Sequence, residues 1–188
     1  ALDDKKSMQH YENALAIDKR CLTANQGVFR LCCENEDWVG AKRAGECLVR
    51  LELPAVERAE VGRQLGLIYR DHLQDSKRAC QSFERVLELD AADEPTLEAL
   101  ADTLIAQKET ARGVSYLVRL LEEAQQRGEM QRVGELGLRI GQLWETEIGD
   151  LDAAIEYYQM VAASDPGNCP ARFHLASIYL QRGNHRQS

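Results

Sequence analysis

Residues 140–168 read IGQLWETEIGDLDAAIEYYQMVAASDPGN. Leu136, Ile140, Leu143 and Trp144 recur at the three- and four-residue spacing that lines one face of a helix. Gly149-Asp150 interrupts that face, and Asp150 is a good N-cap for a following helix. Leu151, Ala154, Ile155, Tyr158, Val161 and Ala162 then form a second stripe, closed by Asp165-Pro166-Gly167-Asn168. The stretch is a helical hairpin, and its two apolar faces need partners beyond each other.

The hairpin recurs 75 residues earlier, at residues 65–93, LGLIYRDHLQDSKRACQSFERVLELDAAD. Gly66 matches Gly141, Tyr69 matches Trp144, Asp75 matches Asp150, and Ala79 matches Ala154. Phe83 matches Tyr158, Val86 matches Val161, Asp90 matches Asp165, and the match runs on through Pro95/Pro170, Leu100/Leu175 and Ala101/Ala176. Small, aromatic and capping residues in one register make this an internal repeat of two hairpins per unit.

These residues resemble the tetratricopeptide repeat, a helix–turn–helix unit of about 34 residues. Its pattern is carried best by Ile140-Gly141, Trp144, Ala154, Tyr158, Val161 and Pro166, and next by Leu65-Gly66, Tyr69, Ala79, Phe83 and Val86. Weaker copies carry Val28, Phe29, Cys32, Ala41 and Leu48, and Leu100, Ala101, Leu104, Gly113, Leu117 and Leu120. The expected repeats are 1–21 (helix B only), 22–55, 56–93, 94–127, 128–168 and 169–188 (helix A only), within one solenoid over 1–188. Because it opens and closes inside a copy, the chain is expected to be a piece of a larger protein. The resemblance implies an all-α, right-handed superhelical solenoid of antiparallel helix pairs. The good copies carry one residue more than the family's spacing, expected in the turn, and insertions near residues 56–58 and 128–133 are expected to lengthen helices.

Helices are expected over residues 1–17, 21–33, 38–51, 54–72, 76–89, 94–107, 110–126, 129–148, 151–164 and 169–181, with no strand. Gly62, Gly66, Gly134, Gly137 and Gly141 fall inside helices. Glycine costs about 1 kcal/mol there relative to alanine, so close helix approach is the expected reason.

The net charge is −8, with 14 Lys and Arg against 17 Asp and Glu in residues 1–93 and 9 against 14 in residues 94–188. Neither half is a basic module, which argues against broad nucleic-acid or anionic-membrane binding. No apolar run approaches a membrane span. The six cysteines lack C-x-x-C spacing, so no zinc site or disulfide framework is expected, and free thiols favour a reducing, cytoplasmic setting. His10, His72, His174 and His185 lie on different repeats, where surface or helix-end roles are expected. No catalytic fingerprint is present, so neither an enzyme nor a cofactor is expected.

The resemblance implies protein or peptide binding in a concave groove lined by helix A of each repeat. Matched to its groove positions are Arg30, Arg63, Leu67, Arg70, Glu98, Asp102, Leu138, Gln142, Glu145 and Phe173. The first half is arginine-rich and the second acidic, so a bound segment is expected to place acidic residues over the former. The Lys and Asn clamp with which the family holds chaperone tails is absent. Two other readings stand beside this one: a regulatory or structural segment of a multidomain enzyme, and self-association through the solenoid's open ends.

Overall fold

The computed structural model describes residues 2–185. Ala1, the last three residues of the closing repeat and the His185 side chain, all included in the expectations above, lie outside the described residues. Ten α-helices and no strand occur among the described residues. They are α1 (Leu2–Ile17), α2 (Leu22–Glu34), α3 (Trp38–Leu48), α4 (Ala55–Leu67), α5 (Ser76–Leu89), α6 (Glu94–Ala106), α7 (Thr110–Arg127), α8 (Met130–Leu143), α9 (Leu151–Ser164) and α10 (Cys169–His185). Even-numbered helices are the A helices of the repeat and odd-numbered ones the B helices. The class is all-α, built of successive helical hairpins.

Among the described residues, five of the helix starts carry side-chain caps. Asp37, Asp75 and Asp150 accept backbone N–H groups from the first turns of α3, α5 and α9 at 2.9–3.1 Å. Asp93 and Asn168 do the same for α6 and α10 through Thr96 and Ala171. Each cap satisfies donors that the first turn leaves unpaired.

The extra residue of the two good copies is not in the turn. It is absorbed inside helix A as a π-helical turn, Ile68–His72 after α4 and Trp144–Ile148 after α8. Leu73 N–H donates to the Ile68 carbonyl and Gly149 N–H to that of Trp144, five residues back. Widening the last turn keeps the preceding apolar stripe in register while lodging one residue more. The helix expected over 38–51 ends at Leu48. Arg50 and Leu51 close a tighter turn through i→i−3 bonds, and Leu51 and Leu53 drop into the core ahead of Pro54.

The chain forms two compact units, residues 1–103 and 104–188. In the first, Phe29, Cys32, Ala41, Leu48, Leu51, Leu53 and Ile68 form a buried cluster. Phe83 is fully buried against the backbone of Gly66, where an added Cβ would sit 2.3 Å from its ring. In the second unit Tyr158 is fully buried and Gly141 takes the place of Gly66, with a Cβ there falling 2.6 Å from the Tyr158 ring. Gly62 and Gly137 admit Val86 and Val161 in the same way. Gly134 differs from expectation, since nothing lies within 4 Å of where its Cβ would be.

Candidate functional site

The helix-A side chains meet from one repeat to the next within each unit. In the first unit, Gln26 on α2 donates to Glu57 on α4 at 3.3 Å. Arg63 on α4 donates to both oxygens of Asp93, the α6 cap, at 3.0 and 3.2 Å. Arg63 also pairs with Glu60 one turn earlier. Arg70 forms a two-point pair with Asp71 at 2.6 and 3.0 Å, which lowers the Asp71 pKa and raises that of Arg70. Arg30 is exposed and pairs with Glu34 at 3.0 Å. Leu67, Glu98 and Asp102 are half-buried, and Asp102 lies close enough to Arg70 to favour its charged form.

In the second unit, Glu145 sits in the π-turn between Tyr158 of α9 and His174 of α10. The Tyr158 hydroxyl donates to Glu145 Oε2 at 2.6 Å, and His174 Nδ1 lies 2.9 Å from the same oxygen. The His174 ring stacks on Tyr158 at 4.9 Å between centroids, with Phe173 at its edge. Burial first, and then the bond to the Glu145 carboxylate, raises the Tyr158 pKa well above a tyrosine's ordinary value. Gln142 is exposed with its Nε2 3.5 Å from His174 Nε2, Leu138 is half-buried, and Phe173 is 72% exposed.

Two of the ten expected residues mark the same recess in both repeats. Arg63 lines one of about 580 Å³ with Val56, Glu60, Leu89, Asp90 and Asp93. Exactly one internal repeat later, Leu138 lines a recess of about 450 Å³ with Gln131, Glu135, Ser164, Asp165 and Asn168. The substitutions are coupled: where Arg63 becomes Leu138, its partner Asp93 becomes Asn168, which keeps the cap and loses the charge.

The arginine-rich character expected of the first half is offset by this geometry. Arg30, Arg63 and Arg70 each already hold a carboxylate, and the Arg63 recess is lined by Glu57, Glu60, Asp90 and Asp93 as well. Sequence reading missed His174 as a site residue, because its partners come from two other elements with no spacing signal. The signal available was a departure from the internal repeat, where Glu145, Tyr158 and His174 replace Arg70, Phe83 and Ala99. Among the described residues no group of three or more His, Cys, Asp or Glu side chains could hold a metal ion. None of their helices is long and apolar enough to cross a membrane.

Stacked antiparallel hairpins, small residues under buried aromatics and polar helix-A faces define a helical repeat scaffold. Residues 64–93 and 135–168 match sequence profiles of the tetratricopeptide repeat. These two stretches are tetratricopeptide repeats, a repeat type of protein-interaction scaffolds. It resembles YrrB, a TPR protein with an unusual peptide-binding site, at 17% identity over 91% of this chain and 82% of that one, with a TM-score of 0.63. It resembles the C-terminal part of a TPR repeat-containing protein from Cytophaga hutchinsonii at 21% identity over 89% and 65% of the two chains, with a TM-score of 0.64. MamA from Desulfovibrio magneticus RS-1 is similar at 19% identity over 90% and 89%, with a TM-score of 0.59. At these identities the likeness is one of fold. No curated protein matches the sequence.

Proposed function

We propose that the helix-A face binds an extended segment of a partner protein. The recurring recess carries this reading: Arg63 and Leu138 stand at the same place in two repeats, the first beside four carboxylates and the second beside two, Glu135 and Asp165, with Gln131, Ser164 and Asn168. Recesses built this way select different side chains. The first recess suits a Lys or Arg whose stem lies on Val56 and Leu89 and whose head reaches Glu60 and Asp90. The second suits a polar or apolar side chain beside Leu138 and Asn168. A protein partner fits the net charge of −8 better than a nucleic acid does. Six thiols without a bridge among them fit a reducing compartment such as the cytoplasm.

The test is capture from native lysate with the chain and with an Arg30→Glu, Phe173→Ser variant, with bound proteins identified by mass spectrometry. Both side chains are exposed, so the melting transition should hold. A specific partner lost by the variant supports the helix-A face; a partner retained in full rules it out.

Self-association is a second reading, favoured by α10, where Phe173, Tyr179 and Leu180 are 72, 49 and 69% exposed. Sedimentation velocity over a range of concentrations decides it, and a monomer throughout removes it.

A further inference from the structure

The B-helix side of the first unit carries a second surface, with chemistry opposite to that of the whole chain. Arg50 lines three adjoining recesses, one of about 370 Å³ beside α3 and two of about 230 and 310 Å³ between that end of α3 and α5. Their floor is Leu65, Tyr69, Ser82 and Val86, all buried. Their walls and ends carry Arg20, Arg43, Arg50, Arg58, Arg78 and Arg85 against only two carboxylates, Glu46 and Glu88. This stands in a protein of net charge −8.

The carboxylate at the centre is already committed. Glu46 accepts the Tyr69 hydroxyl and lies 3.8 Å from Arg78 Nη1, and Arg78 also pairs with Asp75 at 3.4 Å. At one end Arg58 is fixed by donating Nη2 to the Leu53 carbonyl at 2.9 Å, while its buried Nε–H finds no acceptor. Arg43, Arg50 and Arg85 are exposed, and among the described residues none has a carboxylate within ion-pair distance.

Arg78 and Arg85 are seven residues apart on α5, while Arg43 lies on α3 and Arg50 in the turn that follows it. Seven residues of helix rise about 10 Å, so the α5 wall presents two guanidinium groups at that interval. A polyproline-II chain returns to the same side every third residue, after about 9 Å. Guanidinium forks are matched in shape to carboxylates, and charge complementarity of this kind sets orientation and on-rate.

We propose that the trough between α3 and α5 binds an extended acidic protein segment whose carboxylates meet Arg43, Arg50 and Arg85. The site is separate from the helix-A face and does not depend on it. The two walls are recognisable in the sequence, since Arg43 and Arg50 recur as Arg78 and Arg85 at one common shift.

The experiment is fluorescence anisotropy on the full chain. The probe is a fluorescein-labelled peptide of about twelve residues, long enough to span the trough when extended, with Glu at every third position and Ser or Pro between. Salt-sensitive binding is expected, weakened about tenfold or more by Glu→Gln replacement in the peptide or by Arg50→Glu with Arg85→Glu in the protein. Arg30→Glu on the helix-A face should leave it unchanged. Arg50→Gln with Arg85→Gln gives a milder second variant should the double reversal perturb the fold. Undiminished binding by both double variants, or equal loss with Arg30→Glu, overturns the proposal. So does tighter binding of a single-stranded oligonucleotide of equal charge, which would make the trough a general polyanion site. Self-association abolished by the same pair of substitutions would assign it to a second copy and equally overturn the proposal.

Discussion

Gly66 beneath Phe83 and Gly141 beneath Tyr158 are one contact used twice, and they set a test of sign. Alanine at Gly66 would bring a Cβ within 2.3 Å of a fully buried ring that cannot retreat. Overpacking of this kind costs about 1–3 kcal/mol, which outweighs the gain of about 1 kcal/mol in helix propensity. Gly134 meets nothing within 4 Å, so there the propensity gain stands alone. Urea unfolding should show Gly66→Ala and Gly141→Ala destabilised and Gly134→Ala stabilised by roughly 0.5–1 kcal/mol. Equal shifts in all three would remove the close-packing account. Tyr69 offers a second test. Burial, and then its bond to Glu46, pushes its pKa up to about 12. An unfolded tyrosine titrates near 10, so the unfolded chain loses its proton first. The contribution is fully present below about pH 10 and is lost as pH rises towards 12. Alkaline melts of Tyr69→Phe should fall less steeply over that interval than those of the parent chain. At neutral pH the variant should be about 1 kcal/mol less stable through the lost hydrogen bond. The glycines and caps were legible because each acts through its own backbone. The Glu145–Tyr158–His174 cluster was not, because no local property of those residues announces the contact.

At the scale of the element, helix existence followed from apolar spacing, and all ten starts fall within one residue of the expected position. What the spacing did not decide was where the extra residue goes. A longer turn and a widened last helical turn place the same caps at the same sequence distance, and only backbone hydrogen bonding separates them. The Trp144 carbonyl accepts from both Gly149 and Asp150, at 2.8 and 3.0 Å, and the Tyr69 carbonyl accepts from Asp75 at 2.8 Å. The π-turn thus hands directly to the cap of the next helix. Asp75→Ala and Asp150→Ala should each cost about 1 kcal/mol in chemical denaturation, and Asn at either position should restore most of it. An asparagine variant no better than alanine would show that the cap bond is not the stabilising contact. Ala79 and Ala154 lie at the crossings of helices A and B with no exposed surface. Arginine at either should cost on the order of 3 kcal/mol or more, by overpacking and by burying an unpaired charge. Melting within a few degrees of the parent chain would refute the register.

At the scale of the molecule, the internal repeat and the acidic balance were both visible in the sequence, and the distribution of charge over faces was not. Arginine counts along helix A suggested a basic half, but each of those arginines has a carboxylate supplied by its own or a neighbouring element. Among the described residues, Arg43 on α3, Arg50 in the turn after it and Arg85 on α5 have no carboxylate at ion-pair distance, and they lie on the B-helix side of the first unit. A repeat architecture also grades stability, because each hairpin is held mainly by its neighbours. Helices α5 and α9 bury Phe83 and Tyr158 completely. By contrast, in α1 Tyr11, Ala14 and Leu15 are only half-buried and Ile17 is 91% exposed. Among the described side chains of α10 only Ala171 and Ile178 are buried, and Phe173, Tyr179 and Leu180 face solvent. Opening α1 or α10 therefore exposes little apolar surface beyond what is already exposed, and at about 25 cal/mol per Å² it forfeits little free energy. Native-state hydrogen exchange should find amides of α1 and α10 exchanging through low-energy local openings. Amides of α5 and α9 should exchange only near the global unfolding free energy of the units that hold them. Uniform protection across these four helices would mean that the chain opens as one cooperative block, and the graded account would fail.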